Sequence, residues 1–140
     1  MKIKPELIES YQNTLYTSVI GITIQVGRPN ADLDSILEEG HLGSAVYITA
    51  WNPFSEMKSS IDNTIANNSL KEDLLKYVDD KHIIKGIGKD AKEEWPGEES
   101  YLVLGISMNE GLLLAKKYCQ NAFIYHSVSQ ASELIIARSV

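Results

Sequence analysis

The sequence predicts an α+β protein built on a ferredoxin-like βαββαβ core. In that core an antiparallel sheet carries both helices on one face, and a helix, a strand and a short helix extend it at the N-terminus. Three observations lead there. Between residues 44 and 128, β-rich apolar runs and helix-period segments alternate as strand, helix, strand, strand, helix, strand. The helical segments begin at residues able to cap them. The chain has 140 residues, 44% hydrophobic and 23% charged, which is the size and composition of one globular unit, so residues 1–140 are expected to form a single domain.

Pro5 suits the first turn of a helix, and Leu7, Ile8, Tyr11 and Leu15 recur at helical spacing behind it. VIGITIQV, 19–26, is rich in β-branched residues and precedes Gly27, Pro29 and Asn30, so it reads as a strand and a turn. ADLDSILEE reads as a short helix with Asn30 as cap and Gly40 as stop. SAVYITAW, 44–51, lies between Gly43 and Pro53 and is too short for a helix, which makes it a buried strand. Ser55 can cap the long helix that follows, where Met57, Ile61, Ile65, Leu70, Leu74 and Val78 trace an apolar stripe. The stripe has an irregular step near Asn67 and Asn68, a place where the helix can kink.

HIIKGIG, 82–88, is a strand, and its GIGKD end lacks the third glycine and the helix of a dinucleotide site, so it reads as a tight turn. The acidic connection KDAKEEWPGEES has no hydrophobic period. SYLVLGI, 100–106, is a strand, and Ser107 with Glu110 forms a capping box for MNEGLLLAKKYC. Gln120 and Asn121 close that helix before the strand AFIYHSV, and ELIIARS supplies a last strand after the turn SQAS.

Thirteen basic against nineteen acidic residues give a net charge of -6, which opposes a phosphate backbone, so nucleic acid is not an expected partner. No apolar run reaches the length of a membrane span, and MKIKPELIES lacks the apolar centre of a signal peptide, so a cytoplasmic protein is expected. The single cysteine, Cys119, falls at a helix C-terminus, where a thiolate is disfavoured, and it reads as a small packed residue. His41, His82 and His126 have no metal-ligand spacing, and GISMN fails the nucleophile-elbow pattern at its last position. No metal and no cofactor are expected.

What remains is a set of carboxamides at element ends: Asn52, Asn63, Asn67, Gln120 and Asn121. Asn63 and Asn67 lie four apart and share one helical face. Such groups either lock turns or line a site, because a buried amide needs partners. Pro53 is expected to hold Asn52 extended, aiming its carboxamide at the GIG or QNA backbone or at a ligand between them. Trp51 and Trp95 each precede a proline region, where an aromatic can wall a pocket, although core packing is the commoner use.

The chain resembles a bacterial family, domain of unknown function 3293. The likeness lies in LIESYQNTLY (the pattern L...Y..T.Y), ITAWNP at 48–53, asparagines four apart on the next helix, GIG at 86–88, EESYLVLGIS at 98–107 and CQNAFIY at 119–125. A cysteine precedes Gln120 where glycine is more usual, and the tail beyond 126 follows the family loosely. The resemblance implies a small bacterial protein and names no reaction. Its residues here are Trp51, Asn52, Pro53, Asn63, Asn67, Glu99 and Gln120.

Three functions follow as expectations. The first is a non-catalytic binding or regulatory module that holds a small polar ligand or a protein partner at Trp51, Asn52, Asn63, Asn67, Trp95, Glu99 and Gln120. The second is a small hydrolase-like enzyme with Glu98 or Glu99 as general base beside Trp95. The third is an acidic inhibitor or immunity-type protein covering a basic partner with the loop around DAKEEWPGEE.

Overall fold

The computed structural model describes residues 3–89 and 97–138. Four helices and one sheet of seven strands are present among them. In chain order these are α1 (Pro5–Asn13), β1 (Leu15–Ser18), β2 (Thr23–Ile24), α2 (Ala31–Glu39), β3 (Ser44–Ile48), α3 (Ser60–Leu74), β4 (Ile83–Lys89), β5 (Glu98–Leu104), α4 (Met108–Lys117), β6 (Ala122–Ser127) and β7 (Glu133–Ile136). Every ladder is antiparallel, and the spatial order is β2-β1-β4-β5-β3-β6-β7. The fold class is therefore α+β. The four strands of the expected core are flanked by β1 and β2 beside β4, where one strand was expected at 19–26, and by the expected last strand, β7, beside β6.

Both faces of this sheet are covered. Val46, Ile48, Tyr101, Val103 and Phe123 pack with Leu70 and Leu74 of α3 and Leu114 and Ala115 of α4. The alternate residues Ala45, Tyr47, Leu102, Leu104 and Ile124 pack with Leu33 and Leu37 of α2 and with Ile22 and Ile24. The two-residue side-chain period of a strand produces this division, and it explains why the central strands are apolar throughout. As expected for the two core helices, α3 and α4 share a face; α2, from the N-terminal extension, covers the other.

Local chemistry placed several ends as expected. Asn30 accepts the Leu33 N–H at 3.0 Å, and Ser107 with Glu110 makes a reciprocal capping box. Other expectations are corrected. The single strand at 19–26 is a hairpin: β1 begins already at Leu15, and Gly21 at φ +85 makes the turn into β2. Gly86 and Gly88 lie inside β4 and form no turn. A Cβ on Gly86 would collide with the Thr17 carbonyl oxygen and come within 2.7 Å of the Tyr47 hydroxyl, so glycine there permits close approach of β1 and Tyr47.

Helix α3 differs most from its expectation. Ser59, and not Ser55, caps it by accepting the Asp62 N–H at 3.1 Å, and the helix runs unbroken past Asn67 and Asn68. Its inward residues are Asn63, Asn67, Leu70, Asp73 and Leu74, whereas Met57, Ile61 and Ile65 are 85%, 72% and 62% exposed. The apolar stripe is real only in its C-terminal half. There Asp73 accepts hydrogen bonds from Lys117 Nζ at 2.6 Å, the Tyr118 hydroxyl at 2.6 Å and Lys76 Nζ at 3.0 Å, which together hold its carboxyl well below the usual carboxylate range.

Candidate functional site

Beyond Ile48 the chain leaves the sheet ladder, and its backbone donors need new acceptors. Helix α3 supplies them. Asn67 Oδ1 accepts the Ala50 N–H at 2.8 Å, and Asn63 Oδ1 accepts the Asn52 N–H at 2.8 Å. One helical turn advances about 5.4 Å and two extended residues about 6.8 Å, so amides four apart on a helix match alternate N–H groups of a strand. The same amides give back their donors. Asn63 Nδ2 donates to Asn52 Oδ1 at 2.8 Å, and Asn67 Nδ2 to the Glu99 carbonyl at 2.9 Å. This reciprocal satisfaction is what allows two asparagines to be buried in place of the isoleucines beside them.

The expected geometry of Asn52 is corrected by these bonds. It lies in the left-handed region at φ 46, ψ 69, not extended, and its Oδ1 also accepts the Lys58 N–H at 3.0 Å. Asparagine tolerates that region better than most residues, and the anchored carboxamide holds it there against the preference set by Pro53. It reaches neither the GIG nor the QNA backbone; instead Gln120 Nε2 donates to the Trp51 carbonyl at 3.2 Å. Phe54 and Ser55 follow at φ 53 and 60. Such a run of positive φ in non-glycine residues is strain held by its surroundings. Ser55 Oγ lies 3.0 Å from the Tyr11 hydroxyl and accepts Asn121 Nδ2 at 3.1 Å, and the Arg138 guanidinium stacks 4.5 Å from the Phe54 ring.

This turn borders a cavity of about 520 Å³ between α1, the sheet and the start of α3, a volume typical of small-ligand sites. Helix α1 spans it with no residue of its own buried. Tyr16 and Tyr47 meet edge to face, with centroids 5.2 Å apart, and both line the cavity. Their hydroxyls donate to the Tyr11 and Thr17 carbonyls at 2.7 and 2.8 Å, and burial raises both phenols so that they stay neutral.

Glu98 enters the cavity from the first position of β5, opposite Gly88, which has no side chain to cover it. Burial pushes its carboxyl up to about 7, with the Asn52 carboxamide pulling the other way.

Of the residues expected from the sequence, Trp51, Asn52, Asn63 and Gln120 line this one cavity. Asn67 does not; it ties Ala50 to Glu99. Glu99 contributes only its carbonyl, which also accepts Thr49 Oγ1 at 2.6 Å, and its side chain is exposed. Trp95 lies outside the described residues, as does most of the acidic loop. Tyr11, Tyr16 and Tyr47 were missed. A signal for two of them was present: Leu7, Tyr11, Thr14 and Tyr16, the four lettered positions of the L...Y..T.Y pattern, all line the cavity.

Among the described residues no group of three or more His, Cys, Asp or Glu is placed to hold an ion. His126 is buried between Ser132 Oγ at 2.8 Å and Asp34 Oδ1 at 2.6 Å. Ser132 is only 1% exposed, so this Ser-His-Asp chain clasps α2 to β6 and presents no nucleophile to a substrate. Among the described residues no helix is long and apolar enough to cross a membrane.

Residues 48–123, just over half of the chain, match the family described as "Protein of unknown function (DUF3293)". The matched region contains the whole amide ladder, from Ala50 to Gln120, while Tyr11, Tyr16 and Tyr47 fall outside it. No curated protein and no solved structure matches.

Proposed function

The chain belongs to the DUF3293 family, and for this member we propose a non-catalytic binding or regulatory role in which the cleft under the AWNP turn holds a small polar ligand. The observation that carries the reading is the convergence of Trp51, Asn52, Gln120 and Glu98 with two tyrosines around about 520 Å³ of space. An apolar wall with a few placed polar groups is how small molecules are held and oriented. The amide ladder supports the walls: Asn63 and Asn67 fix the turn, which fixes where Trp51 and Asn52 stand. We further propose that β3-α3-β4-β5-α4-β6 is a ferredoxin-like unit in a single domain, on the support of its β4-β5-β3-β6 order.

A thermal-shift screen of pooled small polar metabolites against wild type and Trp51→Ala tests the binding reading. Ligands that raise the melting temperature of the wild type and not of the variant are expected. Stabilisation by the same compounds in both proteins, or in neither, contradicts it.

A second reading, a hydrolase-like enzyme with Glu98 as general base, draws support from a carboxyl at about 7 facing the cleft, a value suited to proton transfer at neutral pH. Turnover of a cleft ligand that Glu98→Gln abolishes would favour it; unchanged ligand recovered after incubation favours binding. The acidic inhibitor reading draws on composition, a net charge of -6.

A further inference from the structure

We infer that the cleft takes a small organic cation, an amine on an apolar body, with its ammonium against Glu98 and its body against Tyr16, Tyr47 and Trp51. This deepens the binding reading above and rests on it. Most of the hydrogen-bond donors that line the cleft are already used by the protein. The Tyr16 and Tyr47 hydroxyls donate to main-chain carbonyls, and Asn63 Nδ2 donates to Asn52 Oδ1. Gln120 Nε2 donates to the Trp51 and Tyr118 carbonyls. An anion entering here would have to break these bonds to be recognised.

What the cleft offers a ligand is therefore an acceptor. Glu98, which takes a hydrogen bond from the Asn52 carboxamide, is a carboxylate without an ion-pair partner among the described residues, set among aromatic rings. Lys58 also borders the cavity, but its Nζ lies 3.7 Å from Glu56 and its side chain is 44% exposed, on the solvent side. Aromatic rings favour a cation through their quadrupoles, and more so where water is excluded. A bound ammonium supplies the counter-charge that Glu98 lacks, so the same burial that penalises the empty carboxylate strengthens the pair. The other titratable groups lining the cleft are Tyr11 on α1, Tyr16 on β1 and Tyr47 on β3, and burial holds the Tyr16 and Tyr47 phenols neutral.

The test is calorimetric titration at pH 8 with three probes of one shape: phenethylamine, 2-phenylethanol and phenylacetate. Phenethylamine is expected to bind at least about tenfold more tightly than the alcohol, and phenylacetate least. Glu98→Gln should erase the preference for the amine. Lowering the pH to 5.5, where the amine stays charged and Glu98 takes up a proton, should weaken amine binding on the order of tenfold in wild type and leave the variant unchanged. Equal or tighter binding of the alcohol or the acid overturns the cation and leaves the cleft as a ligand site. Absence of binding by all three probes overturns both readings.

Discussion

Replacing Glu98 by Gln should make the protein more stable at pH 8 and nearly unchanged at pH 4.5. The carboxyl moves from 4.5 to about 7 on folding because burial disfavours its charged form. Between those values the folded state binds more protons than the unfolded one, so stability falls as pH rises through the window and is flat above it. At about 1.4 kcal/mol per pH unit the rise from 4.5 to about 7 sets an upper bound of about 3.5 kcal/mol, which the group's partial exposure reduces to about 2 to 3 kcal/mol. Urea unfolding followed by far-ultraviolet circular dichroism at pH 4.5, 6, 7 and 8 measures this directly. The wild type should lose about 2 to 3 kcal/mol relative to the variant across the series. Parallel pH profiles would refute the burial of this carboxyl, and with it the reason for regarding Glu98 as an unmatched charge in the cleft.

Cys119, at φ 55, is the left-handed residue of a helix end in which the Gln120 N–H bonds the Ala115 carbonyl, and Cys119→Gly should raise stability by about 0.5 to 1 kcal/mol in thermal melts. Asn67→Ala strips the Ala50 N–H and the Glu99 carbonyl of their partner, with an expected loss of at least about 2 kcal/mol in denaturant unfolding. Gly86→Ala drives a methyl group into the Thr17 carbonyl and toward the Tyr47 hydroxyl, and should cost about 1 to 3 kcal/mol or prevent accumulation of folded protein. Asp73→Asn should remove part of the acid lability: the paired carboxylate adds stability above its unfolded value of 3.8 and loses it as pH falls below, so wild type and variant should converge in acid melts.

The signals that were legible in the sequence are local ones. The Ser107–Glu110 box and the Asn30 cap satisfy donors a few residues away, so spacing alone reveals them. Cys119 was visible as a departure from glycine, and its positive φ supplies the reason. Helix α3 was not legible in the same way. Hydropathy favoured Ile61 and Ile65 for the core, yet Asn63 and Asn67 are 2% and 5% exposed. The deciding factor was non-local: β3 ends its ladder at Ile48, and the N–H groups of Ala50 and Asn52 had to find acceptors on whatever packed beside them. Gly86 was misread for a related reason, since a glycine required by Tyr47 and Thr17 looks the same in sequence as one required by a turn. In the cleft, the carboxamides were recognised and the tyrosines were not: Tyr11 and Tyr16 carry a mark only in the L...Y..T.Y pattern, and Tyr47, an aromatic on a strand, carries none of whether it faces a core or a cavity.

Nuclear magnetic resonance of the side-chain amides tests whether the cleft between α1 and the sheet holds a ligand. Protein labelled with nitrogen-15 would be titrated with a pooled extract of small cellular metabolites, following the NH2 signals of Asn52, Asn63 and Gln120 and the indole signal of Trp51. Saturable shifts confined to these four groups and to the neighbouring Tyr47 and Glu98 backbone are the predicted result. Shifts that map to other surfaces, or four signals unmoved at saturating extract, would contradict it.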